Sequence, residues 1–318
     1  MKVSVGNVMN VSALRLVLLV VLAGIVGGCR PQQPNERDPN ARIQIVTTTG
    51  MIADAVKNIT GDHADVVALM GAGVDPHLYK ATHGDLERLT RADIVFYNGL
   101  HLEGKMGEVF EKLGRTKPVI AVGEKIGEDL LRKVSGFQGA YDPHIWFDVS
   151  LWSEAVGGMS KFLQEYDSAH RDIYRSNSDA YIKRLDSLHQ AVKNAINEIP
   201  ASQRVLITAH DAFGYFGDAY GIEVRGLQGI STLSEFGLRD VTELVTFIIT
   251  RKVKAIFVET SVSQKSIEAV MEGCREKGWN VRIGGSLFSD AMGSAGTPEG
   301  NYIGMVNANV KTIIESLK

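Results

Sequence analysis

Along most of the chain, short apolar runs rich in β-branched residues alternate with segments whose apolar positions recur every three or four residues. In the first half the runs are IQIVTTT (Ile43 to Thr49), ADVVALM (Ala64 to Met70), DIVFYNG (Asp93 to Gly99) and VIAVG (Val119 to Gly123). In the second half they are VLITAH (Val205 to His210), IEVRGLQ (Ile222 to Gln228), AIFVET (Ala255 to Thr260) and VRIGGSLF (Val281 to Phe288). Continuous runs of this kind suit strands covered on both faces, as in parallel sheets. Between them, THGDLERLTRA and LRDVTELVTFIITRK carry helical patterns. Strand–helix alternation predicts right-handed βαβ units, hence an α/β fold of two α/β lobes, each with a parallel sheet.

One segment breaks the alternation. From Ser168 to Ile199 no strand pattern occurs; Tyr174, Tyr181, Leu185, Leu188, Val192, Ala195 and Ile199 recur at helical spacing, and Pro200 closes the segment. A helix of about 30 residues is about 45 Å long, more than one small lobe needs. The pattern predicts one long rigid helix joining the lobes. Its apolar stripe is expected to pack against them, because about four heptads are too few for a coiled coil.

The start of the chain has a different texture. Lys2 and Arg15 flank a polar opening, and LVLLVVLAGIVGG (Leu16 to Gly28) is an uninterrupted apolar run ending in small residues. It is shorter than the roughly 20 residues of a comfortable membrane span and has the form of a signal peptide. Because Cys29 follows directly, the stretch resembles a bacterial lipoprotein signal, in which the cysteine is lipidated and becomes the new N-terminus. RPQQPNERDPNAR (Arg30 to Arg42) is polar and Pro-rich, as a flexible tether would be. The expected organisation is a signal peptide over 1–28, a tether over 29–42, an N-terminal lobe over 43–167, a linking helix over 168–200 and a C-terminal lobe over 201–318. With Cys29 lipidated, Cys274 is left without a disulfide partner, so stability must come from the core.

Charge removes one class of function. The formal net charge is -3, and no basic stripe with interleaved aromatics points to nucleic acid. Candidate chemistry gathers instead at strand ends, where ligands of open α/β sheets collect. His210 ends VLITAH, and Asp290 follows VRIGGSLFS. His77 lies in the Gly-rich loop GAGVDPH, and His144 lies in DPHIWFDVSLW, just ahead of a helix starting near Asp148. The triplet Asp-Pro-His thus occurs twice, at Asp75 to His77 and at Asp142 to His144, although the chain holds only eight His and eight Pro. Proline fixes φ and stiffens the loop that presents the imidazole. The preceding Asp is placed to cap the loop or to accept an imidazole N–H. Three imidazoles and one carboxylate, two from each half, form a coordination set for a divalent transition metal held in a cleft between lobes.

Several motifs in order carry a family resemblance: GAGVDPHLYKAT, DIVFYNGLHLEGKM, DPHIWFDVSLW, VLITAHDAFGYFGDAYGIEVRGLQGIST, AIFVETSVSQKS and GGSLFSDAMG. From Ile43 to the C-terminus the chain resembles the TroA-type (cluster A-I) metal-binding lipoproteins, the substrate-binding proteins of bacterial zinc and manganese ABC importers. The resemblance implies two lobes joined by one rigid helix, with Zn2+ or Mn2+ between them as the transported ion. It maps the four ligands onto His77, His144, His210 and Asp290. It further implies an extracytoplasmic receptor, periplasmic or on the cell surface, anchored to the membrane through Cys29 and delivering the ion to a permease with a separate ATPase. Such a protein is expected to be a monomer, without enzymatic activity. Members with glutamate at the third ligand position tend towards manganese, and this chain has His210 there. Zinc-dedicated members often carry a long His-rich loop near Leu102, and this chain has none.

Other residues fit supporting roles. His101 in NGLHLEG is expected at the surface or behind the ligands, and Glu259, ending AIFVET, is placed to accept a hydrogen bond from a ligand imidazole or to cap nearby backbone. His83 is expected in the first turn of a helix starting at Thr82, and His63, His170 and His189 at the surface. Ser261 and Ser263 are expected as helix caps, and Ser231, Thr232 and Glu235 as a polar loop at the cleft entrance. A metallohydrolase would need an open coordination position, and the chain has neither a His-Glu-x-x-His nor a Gly-x-Ser-x-Gly motif. An adhesin with a structural metal, or a binder of a metal chelate, remains as the alternative; the latter calls for aromatics and arginines around a wider cleft.

Overall fold

The structure, a computed structural model, describes Lys2 and residues 42–134 and 141–318. The expected signal peptide, Cys29 and the tether, apart from Lys2 and Arg42, lie outside the described residues. In the first lobe, β1 (Ile43–Thr47), β2 (Ala64–Ala68), β3 (Ile94–Tyr97) and β4 (Val119–Ala121) form one parallel sheet in the order β2-β1-β3-β4. Helices α1 (Gly50–Thr60), α2 (His83–Arg91) and α3 (Gly107–Gly114) lie between them in the chain. The start of α2 follows from its sequence. Thr82 Oγ1 accepts from Asp85 N, and Asp85 Oδ2 accepts from Thr82 N, a reciprocal cap that satisfies two otherwise orphaned donors.

Two helices then run back to back: α4 (Val149–Tyr166), capped by Asp148, and α5 (Arg171–Asn197), 27 residues long. The second lobe follows with β5 (Val205–His210), α6 (Gly214–Tyr220), β6 (Glu223–Gln228), α7 (Leu238–Arg251), β7 (Ala255–Glu259), α8 (Lys265–Glu276), β8 (Arg282–Leu287) and α9 (Tyr302–Leu317). Every strand lies inside the run that predicts it. The second lobe differs in one respect from a single sheet: its strands form two parallel pairs, β5–β6 and β7–β8, in separate sheets. At their ends a side chain replaces the ladder, because Glu259 at the end of β7 accepts from the backbone N–H of His210 at the end of β5 (2.9 Å).

The long helix matches its predicted stripe except at one position. Tyr174, Tyr181, Leu185, Leu188 and Val192 are buried, but Ile196 rather than Ala195 continues the stripe, four residues after Val192. It grips both lobes. Asn177 Nδ2 donates to the Ile59 carbonyl and Tyr181 to Asp54 of α1, while His189 meets the Tyr220 hydroxyl at the end of α6. Asp54 also accepts from the backbone N–H of Tyr302, the first residue of α9. The largest apolar cluster accordingly runs through both lobes and this helix, from Ile43 to Leu317. Among the described residues, no helix is long and apolar enough to cross a membrane.

Candidate metal centre

His77, His144, His210 and Asp290 come together. One donor atom from each lies within 4.8 Å of the others, and the four residues are at most 2% exposed. His77 Nε2 stands 3.3 Å from His144 Nε2 and 3.6 Å from Asp290 Oδ2. Asp290 also lies 3.5 Å from His144 Nε2 and 3.2 Å from His210 Nε2. A tetrahedral ion with ligands at about 2.0–2.1 Å holds its donors about 3.3–3.4 Å apart. The four distances above lie close to that value, and the whole set stays within 4.8 Å.

Hydrogen bonding points the same way. His77 Nδ1, both ring nitrogens of His210 and both oxygens of Asp290 are buried without a hydrogen-bond partner. Their mutual approaches are short but out of line for hydrogen bonds. Buried polar atoms are rarely left so, and a shared cation would satisfy the Asp290 oxygens and the ring nitrogens that face them. Electrostatics is already arranged around a positive charge. Burial disfavours the charged form of His77 and lowers its pKa to about 3, against the pull of Asp290. Burial acts likewise on His210, but the Glu259 and Asp290 carboxylates outweigh it and raise its pKa. Burial also opposes ionisation of Asp290, yet the imidazoles, His210 foremost, hold its carboxyl below the usual range.

Local sequence explains how the two histidines of the Asp-Pro-His triplets are presented. In both Asp-Pro-His triplets the Asp Oδ1 accepts the backbone N–H of the His two residues on, at 2.8 Å for Asp75 and 3.0 Å for Asp142. The two loops then diverge. Asp142 Oδ1 also lies 2.7 Å from His144 Nδ1, fixing the ring from behind, and its Oδ2 accepts from Arg132. Arg132 Nε reaches Asp218 of α6, and Tyr215 donates its hydroxyl to the Asp142 carbonyl. Two glycines permit this crowding. A Cβ on Gly214 would sit 2.5 Å from the Arg132 guanidinium, and one on Gly226 would sit 2.4 Å from the backbone at Asp211, beside His210.

Glu259 lies against His210 and caps its backbone. Its Oε1 accepts from His210 N, and its Oε2 lies 2.6 Å from His210 Nδ1, although obliquely for a hydrogen bond. His101 is not brought to the cluster. It is exposed on a left-handed turn (φ 65°) and lines a different cavity with Glu124 and Glu128, because the chain turns outward after Gly99. His83 is exposed in the first turn of α2. His63, His170 and His189 are half-buried rather than superficial. The His63 and His170 rings stack at 4.1 Å, and His170 Nδ1 lies 2.8 Å from Asp167. Ser261 does not cap α8; its hydroxyl bonds that of Ser289, next to Asp290. Arg132, Tyr215, Asp218 and Trp146 belong to the surroundings of the site; Arg132 sits in no motif, and the other three lie inside quoted motifs without being singled out there.

Comparison with known proteins identifies the family and the fold. The chain is 49% identical over 282 residues to the manganese-binding lipoprotein MntA of Bacillus subtilis, covering 89% of this chain and 92% of that one. It is 50% identical over 273 residues to the zinc-binding protein TroA of Treponema pallidum, covering 86% and 88%. The solved structure of the periplasmic zinc binding protein TroA from Treponema pallidum superimposes with a TM-score of 0.85, covering 87% of this chain and 99% of that one. The family described as ZnuA, zinc-uptake complex component A, periplasmic, matches residues 45–316, and the chain belongs to that family.

Proposed function

We propose that this chain is an extracytoplasmic solute-binding protein that captures Zn2+ or Mn2+ with His77, His144, His210 and Asp290 and delivers it to an ABC permease driven by a separate ATPase. The observation that carries the reading is the buried set of three imidazoles and one carboxylate whose donor atoms all lie within 4.8 Å of one another. The first half of the chain (43–167) supplies two ligands, the second (201–318) two, and the segment 168–200 joins them. Lipidation at Cys29 anchors the protein on the periplasmic or outer face of a membrane, where it acts as a monomer. Four protein ligands fill a tetrahedral shell and leave no coordination position for a reacting substrate, so the site binds rather than catalyses. An organic chelate has no room among ligands this buried.

The relatives do not choose the metal, since one is named for manganese and another for zinc at nearly equal similarity. Donor chemistry ranks the two. By the Irving–Williams order, a site of three imidazoles and one carboxylate holds zinc more tightly than manganese, whichever the cell supplies. Competitive titration of the metal-free protein is expected to show one ion per chain and a lower Kd for Zn2+; binding of neither ion at that stoichiometry would sink the reading. Metal content of protein purified from its own host identifies the cargo.

Affinity should also depend on pH in a definite direction. Metal binding needs neutral imidazoles. The pKa of His210 is raised, so its proton competes with the ion already above the ordinary imidazole value of about 6.5. His77, at about 3, contributes no competition near neutrality. Affinity should therefore rise from pH 6 to pH 8, with about one proton released per ion. Calorimetry in buffers of different ionisation enthalpy measures that proton directly, and a flat profile contradicts the expectation.

A further inference from the structure

The loop after β6 ties the two histidine-bearing sides of the cleft together. β6 pairs with β5 so that Gln228 stands opposite His210. Directly after β6, the Gly229 carbonyl meets the backbone N–H of Asp211, the residue following His210. The loop then turns on itself: Ser234 N and Leu233 N donate to the Ser231 carbonyl and hydroxyl, and Gln228 Nε2 donates to the Ser234 carbonyl. This fold carries Thr232 to the opposite lobe, where its Oγ1 donates to Asp75 Oδ2 at 2.7 Å. Asp75 uses its other oxygen to hold the backbone N–H of His77. One carboxylate thus joins the His77 loop to a loop of the second lobe.

His77 is the ligand that most needs such support. His144 has Asp142 behind its ring, and His210 has Glu259. His77 Nδ1 has no partner at all. Its ring is placed by its backbone, and its backbone is held through Asp75.

We propose that Thr232 is a positioning residue for ion retention: its hydroxyl latches the second lobe to Asp75, keeps His77 on the ion, and so sets how fast the ion leaves. The proposal rests on the metal-capture reading above. It assigns the polar loop at the cleft a task that turn chemistry alone does not require. A hydroxyl–carboxylate hydrogen bond is strong enough to matter and weak enough to break during release.

The test is the rate of Zn2+ loss from the loaded protein into excess EDTA, by stopped flow, for the wild type, Thr232→Val and Thr232→Ser. Valine keeps the shape and removes the hydroxyl; serine keeps the hydroxyl. Thr232→Val should release zinc about 10- to 100-fold faster, Thr232→Ser should release it at nearly the wild-type rate, and the metal-free Tm should be the same in all three. Wild-type release by Thr232→Val overturns the latch, as does equal acceleration in both variants, which would make packing of the methyl group responsible. A fall in metal-free Tm in step with the faster release overturns it too, showing general loosening instead. If the wild type itself takes up no zinc at one ion per chain, the metal-capture reading fails along with the latch. With that stoichiometry intact and the rates unchanged, only the latch fails.

Discussion

Replacing His144 with alanine is expected to weaken zinc binding by about a hundredfold or more while leaving a folded protein. A four-ligand zinc site is worth about 10–16 kcal/mol, or about 2.5–4 kcal/mol for each ligand, and each 1.4 kcal/mol is tenfold. The fold should survive because Asp142, the group left behind, keeps other partners: Arg132 holds its Oδ2, and Tyr215 holds its carbonyl. The neighbouring donors lose most. Asp290 Oδ1 faces His144 Nε2 at 3.5 Å and has no hydrogen bond of its own. His83→Ala is the matching control, because that imidazole is exposed and meets only Glu87. Competition against a chromophoric chelator measures both variants. Tight binding at one ion per chain by His144→Ala would remove His144 from the site.

That His77, His144, His210 and Asp290 are candidates for one site was legible because three of them follow apolar runs, where open α/β sheets collect ligands, and the Asp-Pro-His triplet recurs at His144. The same runs located the strands, although only β3, β5 and β7 are buried nearly throughout, while β2, β6 and β8 are partly exposed. The long helix was legible from one stripe, with the register slipping only where Ala195 stands beside Ile196. The partners of these elements were not legible. An apolar stripe does not say what it packs against, so the core shared by both lobes appears only in three dimensions. The supporting contacts are equally distant in sequence: Tyr215 meets Arg132 across 83 residues, and Thr232 meets Asp75 across 157. Arg132 has no motif around it, and the polar loop that contains Thr232 does not name Asp75 as its partner. The outward turn at His101 was hidden for a related reason, because two consecutive non-glycine residues with positive φ, Leu100 and His101, are unusual and have no sequence signature.

Trp146 is the residue outside the ligand set whose loss should do most damage. It is 1% exposed, and its ring meets that of His144 at 5.3 Å in a T-shaped contact. Its Nε1 donates to the Ser289 carbonyl at 3.0 Å, the residue before Asp290, and its own carbonyl accepts the Tyr302 hydroxyl at 2.7 Å. One side chain therefore sets the His144 loop of the first lobe against the Asp290 loop of the second. Trp146→Ala removes a fully buried indole, a change that typically costs about 3–5 kcal/mol. For a chain of this size that is a fall in Tm of about 5–10 °C. Trp146→Phe separates the two parts of the effect. Phenylalanine refills much of the volume but leaves the Ser289 carbonyl unpaired, which costs about 1–3 kcal/mol. If the indole N–H positions the Asp290 loop, the phenylalanine variant should lose zinc affinity out of proportion to its smaller loss of stability. Calorimetric melting of the metal-free protein and chelator competition at a temperature where both variants are folded give the two numbers. A phenylalanine variant with wild-type affinity would confine Trp146 to the core. A metal-free alanine variant melting with the wild type would contradict the packing argument itself.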